Sequence, residues 1–104
     1  RKPVKIDFQR IDGFIRGRRI LITGAGGTIG SALAKQLVEF GPELLVLFER
    51  EETALFRIKE EISDANNAEA FLGDITQVGD LELAFSMYKP EVVFHAALIN
   101  TCRF

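Results

Sequence analysis

The sequence predicts an α/β fold, an open parallel sheet of about four strands with helices on both faces. Three observations carry this. Short apolar runs alternate along the chain with segments of helical periodicity. Most of those runs are continuously apolar, as in strands buried on both faces of a parallel sheet. A cluster of glycines separates the first run from the helical pattern after it.

The elements follow in order. Residues 1–6 are charged, contain a Pro and read as a linker. From Asp7 to Ile15 the apolar residues Phe8, Ile11, Phe14 and Ile15 share one helical face, with Asp7 placed to cap it and Gly17 to end it. "RRILIT" (Arg18–Thr23) is the first strand. "TIGSALAKQLVEF" (Thr28–Phe40) sets Ile29, Leu33, Leu37 and Phe40 on a predicted helical stripe, and Gly41-Pro42 stops it. Glu43–Glu49 is the second strand. Glu52–Ser63 is a helix through Leu55, Ile58 and Ile62. Ala68–Gly73 is a weaker third strand. Thr76–Tyr88 is a helix whose start is clouded by Gly79. Glu91–Leu98 is a fourth strand running into a loop.

The totals set bounds. With 104 residues the chain suits one small domain. A chain of this size buries roughly 65% of the surface that its unfolded form exposes, so its core is thin. The net charge of −2 gives no field for nucleic acid. The single Cys, Cys102, excludes an internal disulfide, and nothing around it has metal-ligand spacing. A reducing, cytoplasmic setting is expected. No apolar stretch approaches the ~18 residues of a membrane span, and the N-terminus has no signal-peptide pattern. The chain does not begin with Met, so it is expected to be cut from something longer.

Gly24-Ala25-Gly26-Gly27-Thr28-Ile29-Gly30 has the spacing G-x-x-G-x-x-G, with Gly26 an additional glycine. It follows the predicted strand ending at Thr23 and opens a predicted helix, the context a Rossmann-type diphosphate loop requires. Gly24 suits the turn, Gly26 and Gly27 a close approach of backbone to diphosphate, and Gly30 the packing of helix on sheet. The helix start at Thr28 and Ile29 supplies free N–H groups and partial positive charge. A Walker A loop is excluded because no Gly-Lys-Ser/Thr follows. The architecture this implies is a partial, three-layer, Rossmann-like sheet over residues 18–104, with strand order 3-2-1-4.

Glu49 lies 19 residues past Gly30, where an acid binds the adenosine ribose. It favours the free 2′-hydroxyl of NAD, whereas its neighbour Arg50 favours the 2′-phosphate of NADP. The two argue opposite ways and leave the choice between NAD and NADP open. Asp74 falls at the end of the third strand, placed to accept from an adenine amino group with Ile75 against the ring. The alternative is that Asp74 or Thr76 caps the next helix. Ala96 and Ala97 leave room beside the ribose and diphosphate, or simply pack. His95, without a partner His or Cys, reads as structural rather than as a metal ligand or base. Arg16, Arg18 and Arg19 read as a solvated basic patch.

"ILITGAGGTIGSALAKQL", "LLVLFERE", "FLGDITQVGDLELAF" and "KPEVVFHAA" resemble the extended short-chain dehydrogenase/reductase enzymes of bacterial polysaccharide biosynthesis. More narrowly, they resemble the nucleotide-sugar 4,6-dehydratases that act on UDP-N-acetyl-hexosamines. The lead-in "PVKIDFQRIDGFIRGRRILITGAGG" is similar to the segment before the cofactor loop in long, membrane-anchored members. The resemblance implies an NAD(P) that takes a hydride from sugar C4, permits loss of water across C5–C6 and returns the hydride to C6. It implies a UDP-sugar as partner of the parent enzyme. It assigns Gly24, Gly27 and Gly30 to the diphosphate, Glu49 and Arg50 to the ribose end, and Asp74 with Ile75 to adenine. It matches His95, Ala96 and Ala97 to the loop after the fourth strand.

The chain departs from that pattern after Ala97, where "LINTCRF" replaces a further Ala, an aromatic or apolar residue and Lys-His. The only Tyr, Tyr88, is followed four residues later by Val92, so there is no Tyr-x-x-x-Lys and no catalytic residue is assigned. The reading is the cofactor half of a nucleotide-sugar dehydratase, inactive alone. The alternatives are a stand-alone dinucleotide-binding sensor or interaction module, and part of an epimerase or reductase of the same superfamily. A sheet ending at its fourth strand leaves an open edge, so self-association is expected.

Overall fold

The computed structural model describes residues 8–97. Its elements are α1 (Phe8–Ile15), β1 (Arg19–Thr23), α2 (Thr28–Leu37), β2 (Leu44–Glu49), α3 (Glu52–Glu61), β3 (Ala68–Leu72), α4 (Val78–Tyr88) and β4 (Val92–His95). The four strands form one sheet in the order β3-β2-β1-β4. Every pairing is parallel, with Leu21 opposite Val46 and Val93, and Phe48 opposite Phe71. This is the expected three-layer arrangement. The expected cap Asp7, the linker 1–6 and the tail 98–104 lie outside the described residues.

The two central strands explain the continuous apolar runs. Successive side chains of a strand point to opposite faces, so a strand covered on both sides needs apolar residues throughout. Ile20, Ile22, Leu45 and Leu47 face α2 and α3 in one core, together with Ala34, Leu37, Leu55 and Ile58. Leu21, Val46 and Phe48 face α4 in a second core with Ala84, and Leu81 and Tyr88 pack against it. Phe71 stacks on Phe48 at 5.3 Å and meets Tyr88 edge-on at 6.3 Å. Such aromatic pairs add about 0.5–1.5 kcal/mol beyond the area they bury. Ile15 of α1 is fully buried in the first core.

The fourth strand departs from expectation. β4 ends at His95, and Ala96 and Ala97 turn into helical geometry rather than a loop, while Leu98 lies outside the described residues. Val92, Val93 and Phe94 are only half-buried and His95 is exposed. The reason is position: among the described residues β4 pairs with β1 alone, at the edge that the order β3-β2-β1-β4 gives it.

The predicted stripe of α2 is also corrected. The buried residues are Gly30, Ala34 and Leu37, whereas Ile29 is 41% exposed and Leu33 and Phe40 are half-buried. A Cβ at Gly30 would overlap the Gly24 carbonyl oxygen, so the helix comes down on the loop through its smallest residues. Its last turn tightens to a 3₁₀ turn over Val38–Phe40 and ends at Gly41 with φ +74°. α3 stops at Glu61, two residues before the expected end, and α4 starts at Val78 rather than Thr76. α4 ends on Lys89 in the left-handed region, whose N–H donates to the Phe85 carbonyl at 2.9 Å. The three arginines of the basic patch each have a partner. Arg16 pairs with Asp12, Arg18 lies over the Phe14 ring, and Arg19 donates to the Lys89 carbonyl.

Candidate functional site

The carboxyl ends of all four strands open onto one edge of the sheet, where the glycine loop lies. Gly24 turns the chain with φ +67°, and a Cβ there would sit 2.6 Å from the Ala97 backbone. Its lack of a side chain is what lets the end of β4 close against β1. A Cβ at Gly26 would come within 2.6 Å of Ala54 in α3. That space is filled by protein, so any side chain at Gly26 would push α3 away from the loop. The loop is held by Ala25 N–H donating to the Phe48 carbonyl at 3.2 Å and Gly27 N–H to the Gly24 carbonyl at 3.0 Å.

Gly27 is the N-cap of α2, in extended geometry and without a side chain to cap the helix. The first-turn N–H groups of Thr28, Ile29 and Gly30 find no protein acceptor among the described residues. They carry the positive end of the helix, and first-turn N–H groups without partners are the groups that accept a phosphate or carboxylate. Thr23, fully buried beneath the loop, donates from Oγ1 to the Phe94 carbonyl at 3.4 Å and lies 3.3 Å from His95 Nδ1.

Glu49 closes β2 and is 8% exposed. Its Oε1 accepts the Gly26 N–H and its Oε2 accepts the Glu51 N–H, both at 2.9 Å. The carboxylate therefore ties the glycine loop to the start of α3, and it is no solvated loop residue. Arg50, next in sequence, is exposed. With Glu51, Leu72, Gly73, Asp74 and Asp80 it lines an open depression of about 360 Å³ between the ends of β2 and β3.

Asp74 sits in that depression. Its Oδ1 accepts both the N–H of Thr76 at 2.9 Å and the Thr76 hydroxyl at 2.8 Å. These two bonds, the backbone one first, hold its carboxyl below the usual carboxylate range, with a smaller contribution from the Arg50 charge. Neither Asp74 nor Thr76 is the N-cap of α4; that position is Gln77. Ile75 packs beside the second core and Ala96 is buried in the first.

Three site residues were not singled out from the sequence. Gly73 has no room for a Cβ, which would fall 2.7 Å from the Phe48 ring. Glu51 begins the loop that Glu49 holds. Asp80 accepts the Asp74 N–H at 2.9 Å. Only the acid-rich "GDITQVGD" hinted at the last, and its partner six residues back is set by the fold.

Residues 20–101 match the family model described as "Polysaccharide biosynthesis protein". The chain is 36% identical over 101 residues to the probable polysaccharide biosynthesis protein EpsC of Bacillus subtilis, covering 93% of this chain and 17% of EpsC. It is 33% identical over 85 residues to a UDP-N-acetylglucosamine 4,6-dehydratase (inverting) of Campylobacter jejuni, covering 81% of this chain and 25% of that enzyme. The chain thus spans a quarter or less of these relatives. Among solved structures, Pen from Bacillus thuringiensis aligns with TM-score 0.72 and 29% identity over 79% of this chain and 25% of that one. An NAD+-bound xylitol dehydrogenase aligns with TM-score 0.62 and 26% identity over 72% of this chain and 30% of that one.

Proposed function

The chain belongs to the polysaccharide-biosynthesis family of extended short-chain dehydrogenase/reductases, and on that premise we propose that it is the NAD-binding part of a nucleotide-sugar 4,6-dehydratase. The observation that carries the dinucleotide is the start of α2. Among the described residues three first-turn N–H groups have no protein acceptor, next to a loop whose glycine at 24 admits no side chain. A diphosphate supplies the acceptors they lack. The adenosine then extends with its ribose toward Glu49 and its adenine in the depression beside Asp74 and Ile75, while Ala97 stands beside the glycine loop that holds the diphosphate. When bound, the nicotinamide takes up and returns a hydride. The residues described here hold the other end of the molecule.

NAD rather than NADP fits the electrostatics. A 2′-phosphate would stand beside Glu49, which two backbone bonds prevent from swinging away. Glu51, Asp74 and Asp80 line the same depression against the single cation Arg50. Repulsion from several carboxylates outweighs one exposed guanidinium. The choice of a dehydratase follows the likeness to the Campylobacter enzyme, 33% identical, against 31% for a dTDP-4-dehydro-6-deoxy-D-allose reductase of Streptomyces and 25% for a dTDP-L-rhamnose 4-epimerase of Burkholderia thailandensis.

Titration calorimetry with NAD, NADP and ADP-ribose tests this. NAD and ADP-ribose should bind alike, since the contacts proposed lie at the adenosine diphosphate end, and NADP should bind more weakly. Tighter binding of NADP would overturn the cofactor choice. No binding of any of the three would overturn the site.

A further inference from the structure

We infer that Asp80 is a positioning residue for adenine recognition, acting through Asp74. The inference rests on the dinucleotide reading above.

The loop after β3 is fixed at each step. Gly73 N–H donates to the Glu49 carbonyl at 3.0 Å, prolonging the ladder between β2 and β3. The next N–H, of Asp74, leaves the ladder and is taken by Asp80 Oδ2 at 2.9 Å. Asp74 Oδ1 is spent on the two bonds from Thr76, and the Asp74 carbonyl accepts the Gln77 N–H at 2.9 Å. Backbone and one carboxylate oxygen are therefore held from both sides. Oδ2 of Asp74 takes no hydrogen bond among the described residues and is the atom left for a ligand's donor. Asp80 lies in the first turn of α4, itself packed on the sheet through Leu81 and Ala84. Its carboxylate transmits the position of a rigid helix to the loop.

A donor on the purine is what such an acceptor reads. The exocyclic amino group of adenine donates, while the oxo group at the same position of hypoxanthine accepts. Protein carrying Asp74 in place should prefer NAD to nicotinamide hypoxanthine dinucleotide by roughly three- to tenfold, the worth of one hydrogen bond in a partly solvated site. Asp80→Ala removes the acceptor for the Asp74 N–H. It should bring that ratio close to one while leaving the affinity for the hypoxanthine dinucleotide nearly unchanged. Asp80→Asn keeps an acceptor oxygen and should keep most of the preference. Asp80→Ser, which stays polar in the first turn but cannot reach the loop, is the second disrupting variant and should behave as Ala does.

The measurement is the ratio of the two dissociation constants, with amide exchange at Asp74 followed by NMR in each protein. A purely structural role would weaken both dinucleotides together. That result, or a ratio preserved in Asp80→Ala and Asp80→Ser, overturns the inference while leaving the site intact. An unmodified protein that binds neither dinucleotide overturns the site reading and this inference with it.

Discussion

The Glu49 carboxylate accepts the Gly26 amide at 2.9 Å across 23 residues of sequence. Strand β2 and the glycine loop are thereby a single unit, and the residue matched to the cofactor's ribose also holds the loop matched to its diphosphate. Both of its oxygens have backbone donors, so the side chain is oriented before any ligand arrives. Preorganisation of this kind reduces what a ligand must order on binding.

Glu49→Ala should therefore cost stability as well as affinity. It strands the buried Gly26 N–H, and a buried polar group left without its partner costs about 1–3 kcal/mol. Chemical denaturation should show a loss in that range. Titration should show that NAD binds more weakly and that the gap between NAD and NADP narrows. A stability unchanged from the parent chain would contradict the strut role.

Two glycines in helices should respond to alanine with opposite signs. Gly79 of α4 has open space around a Cβ, and Gly→Ala in a helix is worth roughly 0.5–1 kcal/mol. Gly79→Ala should raise the melting temperature. Gly30 has the Gly24 carbonyl where its Cβ would stand, so Gly30→Ala forces the helix off the loop. Overpacking of that kind costs about 1–3 kcal/mol, which exceeds the helix-propensity gain. Thermal unfolding of the two variants decides it, and stabilisation by both would mean that the loop is slacker than described.

The fold and the glycine loop were legible because their signals are local. Apolar runs mark β1 and β2, and the spacing of Gly24, Gly27 and Gly30 marks the turn between β1 and α2. What escaped depends on distant partners. The stripe Ile29, Leu33, Leu37 and Phe40 follows from periodicity, which ranks residues by hydrophobicity; Leu37 is buried and Leu33 and Phe40 pack against the core, but Ile29 is exposed. Closeness to the loop instead selects Gly30 and Ala34. Ala54, which fills the space beside Gly26, and the Phe48 ring beside Gly73 are far from those glycines in sequence, and only the sheet order brings them together. The order 3-2-1-4 puts β4 at the sheet edge, yet its apolar run reads like that of a strand covered on both faces, because burial depends on neighbours that a strand's own residues do not reveal.

Phe71 offers a test of the second core at the sheet edge. It is half-buried, stacked on Phe48 with ring planes 8° apart and edge-on to Tyr88. Phe71→Ala should cost about 2–3 kcal/mol, less than the 3–5 of a fully buried Phe because solvent already reaches the site. Phe71→Leu should recover most of the apolar area but not the stacking. Urea denaturation of both variants measures the difference. Burial, and the charge of Glu69 to a lesser degree, raise the Tyr88 pKa. Opening the cluster with Ala should lower it, which ultraviolet titration of the phenol would follow.

The acid limb of the loop after β3 should be set by Thr76. Hydrogen bonds from the Thr76 backbone and hydroxyl depress the folded-state pKa of Asp74. A carboxyl whose folded pKa lies below its unfolded one stabilises the fold fully above the unfolded value of about 3.9. That contribution is lost as pH falls through the folded value. Thr76→Val deletes the hydroxyl bond and keeps the backbone bond, so the Asp74 pKa should rise part of the way toward the ordinary carboxylate range. The loop should then begin to loosen at a higher pH than in the parent chain. Carbon-13 NMR titration of the Asp74 carboxyl reads the shift directly, and the amide signal of Thr76 reports the loosening. A titration curve identical in both proteins would mean that the hydroxyl bond at 2.8 Å does not persist in solution.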